Sequence, residues 1–367
     1  MKFGLCANAS ERHNDRRVYF VRSQSFLMGL VLKSRSPGTW KAWIPALKWL
    51  VRIVILTLVA VGMAKTWRDA QASFSAHQYS WSDLDGWWIA ASCCLYVAAT
   101  LPAAWFWHQA LVAMGQRPRW WESLRAYYVG HLGKYVPGKA LVVVIRAGLV
   151  RSERVDFFIA ALAVFVETLT LMAVGAVIAA VILAGLGQSQ DQTYLTIVAV
   201  GLGICAAVPT APPLFREVVR RLPYVKSHPG VQPALQGLRL GLMARGWLAM
   251  SLGWLFMGLS LWATLQAMAS VTEAPVDLAK LPLMTACIAL ATVAGFMSLI
   301  PGGLGVRELV VTALLVPTFG EVAALVSAVV MRLVSLVSEV LVSAILYFLA
   351  PATRNAGAAP SLDSPAP

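Results

Sequence analysis

Long apolar runs separated by short polar segments dominate the chain. Six runs reach the length of about 20 residues that crosses the roughly 30 Å hydrocarbon core of a bilayer. They lie at 48–67, 87–107, 157–184, 193–212, 246–268 and 322–349. The pattern predicts six transmembrane helices, and the tryptophans near several run ends are typical of residues at a membrane interface.

Two further apolar runs, 123–150 and 281–315, are interrupted by a Pro-Gly pair and a Pro-Gly-Gly triplet respectively. Proline breaks a helix because it lacks an N–H donor and clashes with the preceding turn. Each arm of the first run has about 13 residues, or about 20 Å of helix, which is too short to cross a bilayer alone. We therefore predict re-entrant hairpins over 123–150 and 281–318.

The distribution of Lys and Arg predicts which side each segment faces, because cytoplasmic loops of membrane proteins are enriched in these residues. Basic residues concentrate before the first span, on both flanks of the first hairpin and in the 213–245 loop. They are scarce in the 68–86 and 185–192 loops and around the second hairpin. Both termini are therefore predicted to be cytoplasmic, with the first hairpin entering from the cytoplasm and the second from outside.

The same order of segments occurs twice in the chain. Residues 48–184 and residues 193–349 each contain two spans, an interrupted hairpin and a final span. Each half crosses the membrane an odd number of times, so the two halves would have opposite orientations. Such an inverted-topology repeat with broken segments in corresponding positions is typical of transporters whose site lies near the bilayer midplane. The predicted fold class is thus an all-α polytopic membrane protein with six full spans, two re-entrant hairpins and an inverted-topology repeat.

Composition excludes a soluble protein. Of 367 residues, 59% are hydrophobic and 13% are charged, against roughly 25% charged residues in ordinary globular proteins. The formal net charge of +13 lies mainly at the ends of apolar runs, which favours contact with a membrane surface over contact with nucleic acid.

Three regions follow from this composition. Residues 1–46 form a basic cytoplasmic N-terminal segment, which is either a disordered tail or an extension upstream of a start at Met28. Residues 47–350 form the membrane domain, and the Ala-, Pro- and Ser-rich residues 351–367 are predicted to be a disordered tail. The cysteines have no metal-ligand spacing, so we predict neither a metal nor another cofactor.

The first break, from Gly133 to Ala140, carries two lysines. Its Gly-x4-Gly-Lys spacing is similar to a nucleotide-binding P-loop, but Ala140 replaces the magnesium-binding Ser or Thr and no strand precedes it, so nucleotide binding is rejected. Lys134 and Lys139 lie beside the start of a half-helix whose free N–H groups attract anions, which suggests a phosphate-bearing headgroup as ligand. The alternative is that both lysines snorkel to the cytoplasmic surface. The other candidate binding residues here are Tyr135, Pro137 and Gly138.

The second break places two charges deep in apolar sequence. Its glycines, Gly302, Gly303 and Gly305, allow close approach and unusual backbone angles. Arg307 and Glu308 follow at the start of another half-helix. A charge there costs about 3 kcal/mol on insertion scales and by default marks a site or an ion pair. We take these five residues as candidate substrate-binding residues, with a purely structural ion pair between Arg307 and Glu308 as the alternative.

Three more charged residues lie within predicted spans. Glu167 lies in the third span, and Arg332 and Glu339 lie on one face of the last span. They could line a polar path for a headgroup or a coupling ion, or they could form interhelical ion pairs. His131 in the first hairpin could add polar lining, but without partner ligands it does not predict a metal site.

These segments resemble the flippase-like transmembrane family, which includes the membrane domain of lysylphosphatidylglycerol synthases and stand-alone relatives. The resemblance covers most of 48–350 and rests on LGKYVPGK, the Glu167 span, GFMSLIPGGLGVRE and the Arg332 helix. In bifunctional relatives it implies a membrane part linked to translocation of aminoacylated phospholipids, which a soluble C-terminal domain makes. Because this chain stops after its last predicted span, synthase activity is not expected. Lys139 departs from the family pattern, since many relatives have glycine there.

The sequence therefore predicts a multi-pass protein of the bacterial inner membrane that moves a polar-headed, phosphate-bearing lipid between leaflets and is not an enzyme. Its expected partners are membrane lipids and a separately encoded lipid-modifying enzyme, not nucleic acid. Two alternatives stay open: a non-catalytic membrane partner of a lipid or glycolipid synthesis complex, and a membrane transferase that uses a lipid-linked substrate.

Overall fold

The computed structural model describes residues 81–135, 140–186, 190–221, 230–298 and 305–349, with isolated positions between 57 and 75 and at 225, 300 and 303. Every helix named below belongs to the unit formed by residues 58–367. The predicted terminal segments 1–46 and 351–367 lie outside the described residues.

Regular structure in these ranges is helical, as the sequence predicted. The α-helices are α1 Gly86–Ala113, α2 Trp120–His131, α3 Ala140–Val150, α4 Phe157–Gly185, α5 Gln190–Ala207, α6 Pro212–Arg220, α7 Val231–Gln236, α8 Leu240–Gln266, α9 Leu281–Met297, α10 Val306–Phe319 and α11 Glu321–Leu349. Aspartates cap two of the long helices. Asp85 accepts a backbone N–H at the start of α1, and Asp156 accepts two at the start of α4.

Five helices of the described residues are long and apolar enough to cross a membrane. Four of them, α1, α4, α8 and α11, correspond to predicted spans. The fifth, Leu278–Met297, is the first arm of the second predicted hairpin and is longer than the arms of the first. The predicted span 193–212 overlaps most of α5, and a 3-10 turn at Val208–Thr210 follows this helix.

The total of six full spans stays a prediction, because most of the first predicted span, 48–67, lies outside the described residues. In contrast, the helices on both sides of each break are described. Each run forms two helices separated by its Gly/Pro break, so the positions of both breaks were predicted from proline chemistry alone.

Helices α2 and α3 form an antiparallel hairpin around the first break. Near the break, Gly130 packs so closely on the second arm that a Cβ there would lie 3.1 Å from the Arg146 nitrogen. At the opposite end, the Arg117 N–H donates to the Arg154 carbonyl at 3.2 Å. The segment therefore begins and ends on the same side of the molecule.

Helices α9 and α10 form a second antiparallel hairpin. Near its break, Arg307 Nη2 donates to Thr292 Oγ1 at 2.8 Å. At the far end, the Glu273 N–H donates to the Phe319 carbonyl at 3.1 Å. The flanks of this hairpin thus also meet on one side.

Two glycines of the second break have backbone conformations that favour glycine. Gly303 has φ 67° and Gly305 has φ 82°, which side chains with a Cβ rarely adopt. Gly303 also lies against the first arm, where an added Cβ would be 2.9 Å from the Gly295 Cα. The predicted unusual backbone angles are therefore observed at both glycines and the predicted close approach at Gly303, whereas Gly302 lies outside the described residues.

The centre of the fold is an antiparallel pair formed by α1 and α8. At one end the Asp85 N–H donates to the Ala267 carbonyl at 3.0 Å, and toward the other end Gly246 leaves room for the Phe106 ring. The remaining long helices pack reciprocally: α4 contacts α8 and α9, while α11 contacts α1 and α2. The first hairpin thus packs on α1, α4 and α11, and the second packs on α4, α8 and α11.

Candidate functional site: a buried charge cluster between two hairpins

Glu339 of α11 is a buried carboxylate surrounded by donors, with 1% of its surface exposed. It accepts hydrogen bonds from the Lys134 ammonium and the Tyr96 hydroxyl, and from the Tyr135 hydroxyl at 2.9 Å. The Nε2 atom of His131 lies 3.5 Å from Glu339 Oε1. Donors from α1, from the end of α2 and from the following 3-10 turn, Leu132–Tyr135, thus converge on one side chain.

A second buried carboxylate, Glu167 of α4, pairs with Arg146 of α3. Arg146 Nη1 lies 2.7 Å from Glu167 Oε2, and each side chain is 2% exposed. The guanidinium also lies over the Tyr127 ring, 3.9 Å from its centroid, and Thr168 Oγ1 donates to Glu167 at 3.2 Å. Full burial with several partners is the arrangement in which an ion pair can offset its desolvation.

His131 connects these two carboxylate sites. Its Nδ1 atom lies 2.8 Å from Arg146 Nη2. Because a guanidinium can only donate, Nδ1 must be the acceptor, which assigns the ring proton to Nε2. That proton faces Glu339. A continuous polar chain therefore runs from Glu167 through Arg146 and His131 to Glu339.

The second hairpin contributes a third ion pair. Glu308 at the start of α10 pairs with Arg332 of α11, and its Oε2 atom accepts the Gly305 N–H at 2.8 Å. Arg307 points elsewhere and donates to Thr292. The alternative of an ion pair between Arg307 and Glu308 is therefore wrong, since Glu308 pairs with a different helix.

Among the described residues, the charged side chains around the two breaks include one more cation than carboxylates. The residues concerned, called the central charge cluster below, are Lys134, Arg146, Glu167, Arg307, Glu308, Arg332 and Glu339. Each carboxylate has one arginine or lysine partner, which leaves Arg307 without a carboxylate in the part of the chain that the structure describes. The charges of Arg307 and Arg332 both act on Lys134, so the two hairpins share one electrostatic environment.

The structure brings most sequence-predicted residues together. Lys134, Tyr135 and Glu339 are in direct contact, and Arg332 and Glu308 form a pair. Ion pairing, the alternative for Glu167, Arg332 and Glu339, therefore holds for all three, and it is compatible with a binding role. The candidate residues Pro137, Gly138, Lys139 and Gly302 lie outside the described residues.

Arg146, Tyr96 and Tyr127 were missed by sequence reasoning. Arg146 lies inside the apolar run LVVVIRAGLV, so the rule that flagged Glu167 applies to it equally, because an intramembrane charge is rarely without a role. The tyrosines carry no comparable signal, since their hydroxyls become important only through contacts with Glu167 and Glu339.

The fold and this cluster define a polytopic α-helical membrane protein in which two antiparallel hairpins bring charges into an apolar interior. Over residues 49–343 the sequence matches the family model described as the lysylphosphatidylglycerol synthase TM region, and the chain belongs to this family. The match confirms the resemblance drawn from the two broken segments. No curated protein matches the sequence significantly. Family membership supports a multi-pass membrane location and a membrane lipid-related function.

Proposed function

We propose that the protein moves an anionic-headed membrane lipid between leaflets and is not itself an enzyme. The observation that carries the proposal is the excess cation of the central charge cluster, since Arg307 has no carboxylate partner among the described residues. A charge without a counter-charge is costly inside a bilayer. A phosphate-bearing headgroup would supply the missing anion, and a guanidinium can bind it through two parallel N–H bonds.

Lys134 offers a second contact for the same headgroup. Its side chain is 24% exposed, whereas the carboxylate of its partner Glu339 is 1% exposed. A phosphate can therefore approach the ammonium from the open side without reaching Glu339. Lys134 and Arg307 belong to different hairpins, so one headgroup held by both would connect the two breaks while its acyl chains stay in the hydrocarbon.

The proposal includes re-entrant hairpins and an inverted-topology repeat. Its support is that each hairpin begins and ends on one side of the molecule. The helices that precede the hairpins, α1 and α8, run antiparallel, as equivalent helices of inverted repeats do. The reciprocal packing of α4 and α11 follows the same symmetry. With no nucleotide-binding motif, movement would draw on a gradient, a coupling ion or consumption of the product.

A leaflet assay with purified protein in vesicles tests the proposal. The probes are NBD-labelled phosphatidylglycerol and phosphatidylcholine, and dithionite reports the fraction in the outer leaflet. We expect faster movement of phosphatidylglycerol, and Arg307→Gln should slow it about tenfold or more, because a hydrogen bond to a charged group contributes about 1.5–3 kcal/mol. Arg221→Gln is the matched control, since Arg221 is 79% exposed and far along the chain from both breaks.

The two alternatives give different results in the same vesicles. Chemical conversion of a lipid without movement between leaflets would indicate a membrane transferase. Neither movement nor conversion would favour a non-catalytic partner of a lipid-synthesis complex. Equal rates for the Arg307→Gln variant and the unaltered protein would contradict the role given to Arg307.

A further inference from the structure

We infer that Arg125 forms a second headgroup site, at which the phosphate of a lipid in the adjacent leaflet binds before it reaches the central charge cluster. Arg125 lies in the first half of α2, away from the break of the first hairpin. Its role as a site of entry rests on the proposed function, whereas binding of the phosphate at Arg125 is testable without any lipid movement.

The guanidinium of Arg125 is held in place, but it has no counter-charge among the described residues. Its Cζ atom lies 5.2 Å from the centroid of the Tyr347 ring of α11. The side chain is partly exposed, while its Nε atom is buried and has no hydrogen-bond partner in the described part of the chain. A cation without an anion is costly beside the hydrocarbon, and a buried donor without an acceptor adds to this cost.

The carboxylate closest to Arg125 in sequence is already engaged. Glu122, three residues earlier, pairs with Arg154 at 3.3 Å and accepts the Arg119 N–H at 2.9 Å. An anion from outside the described residues is therefore needed to balance Arg125. A lipid phosphate is the anion that a membrane surface supplies, and a planar guanidinium binds phosphate oxygens through two parallel N–H bonds.

An open face of α2 connects Arg125 with the central charge cluster. The side chains of this face recur at helical spacing and are at least partly exposed, and they are Trp121, Arg125, Val129 and Leu132. The opposite side of the helix is buried, as Tyr127 shows. The open face leads to Lys134, whose side chain is 24% exposed and which lies about 14 Å beyond Arg125 along the helix.

Helix α11 packs along α2 between these two positions. The Tyr347 contact lies at one end of the shared seam, and Ser343 Oγ donates to the Tyr128 carbonyl at 3.0 Å farther along. The ion pair of Lys134 with α11 lies at the other end. A separation of about 14 Å is close to half of a hydrocarbon core of roughly 30 Å. A headgroup bound by Arg125 at the membrane surface would therefore meet Lys134 near the midplane.

Native mass spectrometry of the delipidated protein tests binding at Arg125. The probes are dioleoylphosphatidylglycerol, dioleoylglycerol, which has no phosphate, and inorganic phosphate. We expect the unaltered protein to retain one more phosphatidylglycerol molecule than Arg125→Gln does, and to retain no excess of dioleoylglycerol. Arg119→Gln is the matched control, because it removes the same charge from the same end of α2 at an exposed position. It should retain as much phosphatidylglycerol as the unaltered protein.

The leaflet assay separates a site of entry from the central site. Rates are measured at increasing mole fractions of NBD-phosphatidylglycerol in phosphatidylcholine vesicles. Arg125→Gln should raise the half-saturating mole fraction about tenfold, because it removes a charge-assisted contact, and should leave the maximal rate unchanged. Arg307→Gln should lower the maximal rate instead. Tyr347→Leu, which removes the ring beneath the guanidinium, should show part of the Arg125→Gln effect, and Tyr347→Phe should show none.

The outcomes separate this inference from the proposed function. Equal retention of phosphatidylglycerol by Arg125→Gln and the unaltered protein would mean that Arg125 only extends to the membrane surface, whether or not lipids move. If inorganic phosphate binds in an Arg125-dependent way and phosphatidylglycerol does not, the ligand is free phosphate and the lipid site is wrong. Arg125-dependent lipid binding without any lipid movement would keep the site and refute both its entry role and the proposed function.

A second substitution covers the case in which Arg125→Gln does not fold. Arg125→Lys keeps the charge but not the planar fork, so it should retain phosphatidylglycerol less well than the unaltered protein and better than Arg125→Gln. The comparison of phosphatidylglycerol with dioleoylglycerol uses the unaltered protein alone. Equal retention of these two lipids would show that phosphate is not recognised, and the inference would be wrong.

Discussion

At the scale of single residues, the buried charges are the most informative part of the sequence. Apolar surroundings make each charge costly, and this cost alone predicted Glu167, Glu308 and Glu339. The pairing partners were not predictable, because they depend on which helices become neighbours. Glu308, next to Arg307 in sequence, pairs with Arg332 on another helix instead.

Removal of one member of the buried Arg146–Glu167 pair should be much more damaging than removal of both. Arg146→Met leaves an uncompensated carboxylate and should lower the free energy of unfolding by about 3–5 kcal/mol, while the double variant Arg146→Met/Glu167→Leu should recover most of this loss. Reversible unfolding in detergent measures both.

The same hairpin offers a matched control for this pair. Arg154 and Glu122 also form an ion pair, at 3.3 Å, but Arg154 is 46% exposed. Arg154→Met should therefore change the free energy of unfolding by less than about 1 kcal/mol. A double variant at the buried pair that is as unstable as Arg146→Met alone would mean that packing and the Tyr127 contact, not charge, stabilise this position.

At the scale of elements, the two arms of each hairpin pack together through the same kind of contact. A glycine in the first arm accommodates the aliphatic stem of an arginine in the second arm: Gly130 faces Arg146, and Gly295 faces Arg307, with an added Cβ 2.6 Å from Arg307 Cγ. Proline and glycine chemistry predicted where the arms separate, but not this contact, because it requires knowledge of how the arms face each other.

A pair of glycine substitutions in the first hairpin tests this contact between glycine and arginine. Gly130→Ala places a methyl group against Arg146 and should lower stability and lipid movement together, since the arms must separate. Gly148→Ala in the second arm has no atom within 4 Å of the new Cβ and should be neutral or stabilising by up to about 1 kcal/mol. Thermal unfolding and the leaflet assay measure the two effects, and equal behaviour of both variants would refute the packing argument.

At the scale of the whole molecule, the order of segments was predictable and the exact spans were not. Hydropathy located α1, α4, α8 and α11 because each is a long uninterrupted apolar run. Whether the run 193–212, which overlaps α5, crosses the membrane as a full span stays a prediction. Hydropathy also placed α9 in a re-entrant hairpin, whereas Leu278–Met297 is long and apolar enough to be a candidate span.

Cysteine accessibility in intact cells tests the topology. In a background with the native cysteines replaced, Arg117→Cys and Ser152→Cys should both label from the cytoplasmic side, because the flanks of the first hairpin lie together and are rich in arginine. Glu273→Cys and Glu321→Cys should both label from outside. Labelling of 117 and 152 from opposite sides would mean that α2 and α3 together span the membrane, and the inverted repeat would be lost.

The carboxylate of Glu308 makes contacts with two helices, α10 and α11. Its Oε2 atom holds the first turn of α10 through the Gly305 N–H at 2.8 Å, while Oε1 holds Arg332 on α11. A displacement that draws Arg332 away pulls on the group that secures the start of α10. Movement of the last helix is thereby transmitted to the backbone of the second break. A substitution at Glu308 would therefore remove both contacts at once, whereas a substitution at Arg332 would leave the contact with the Gly305 N–H.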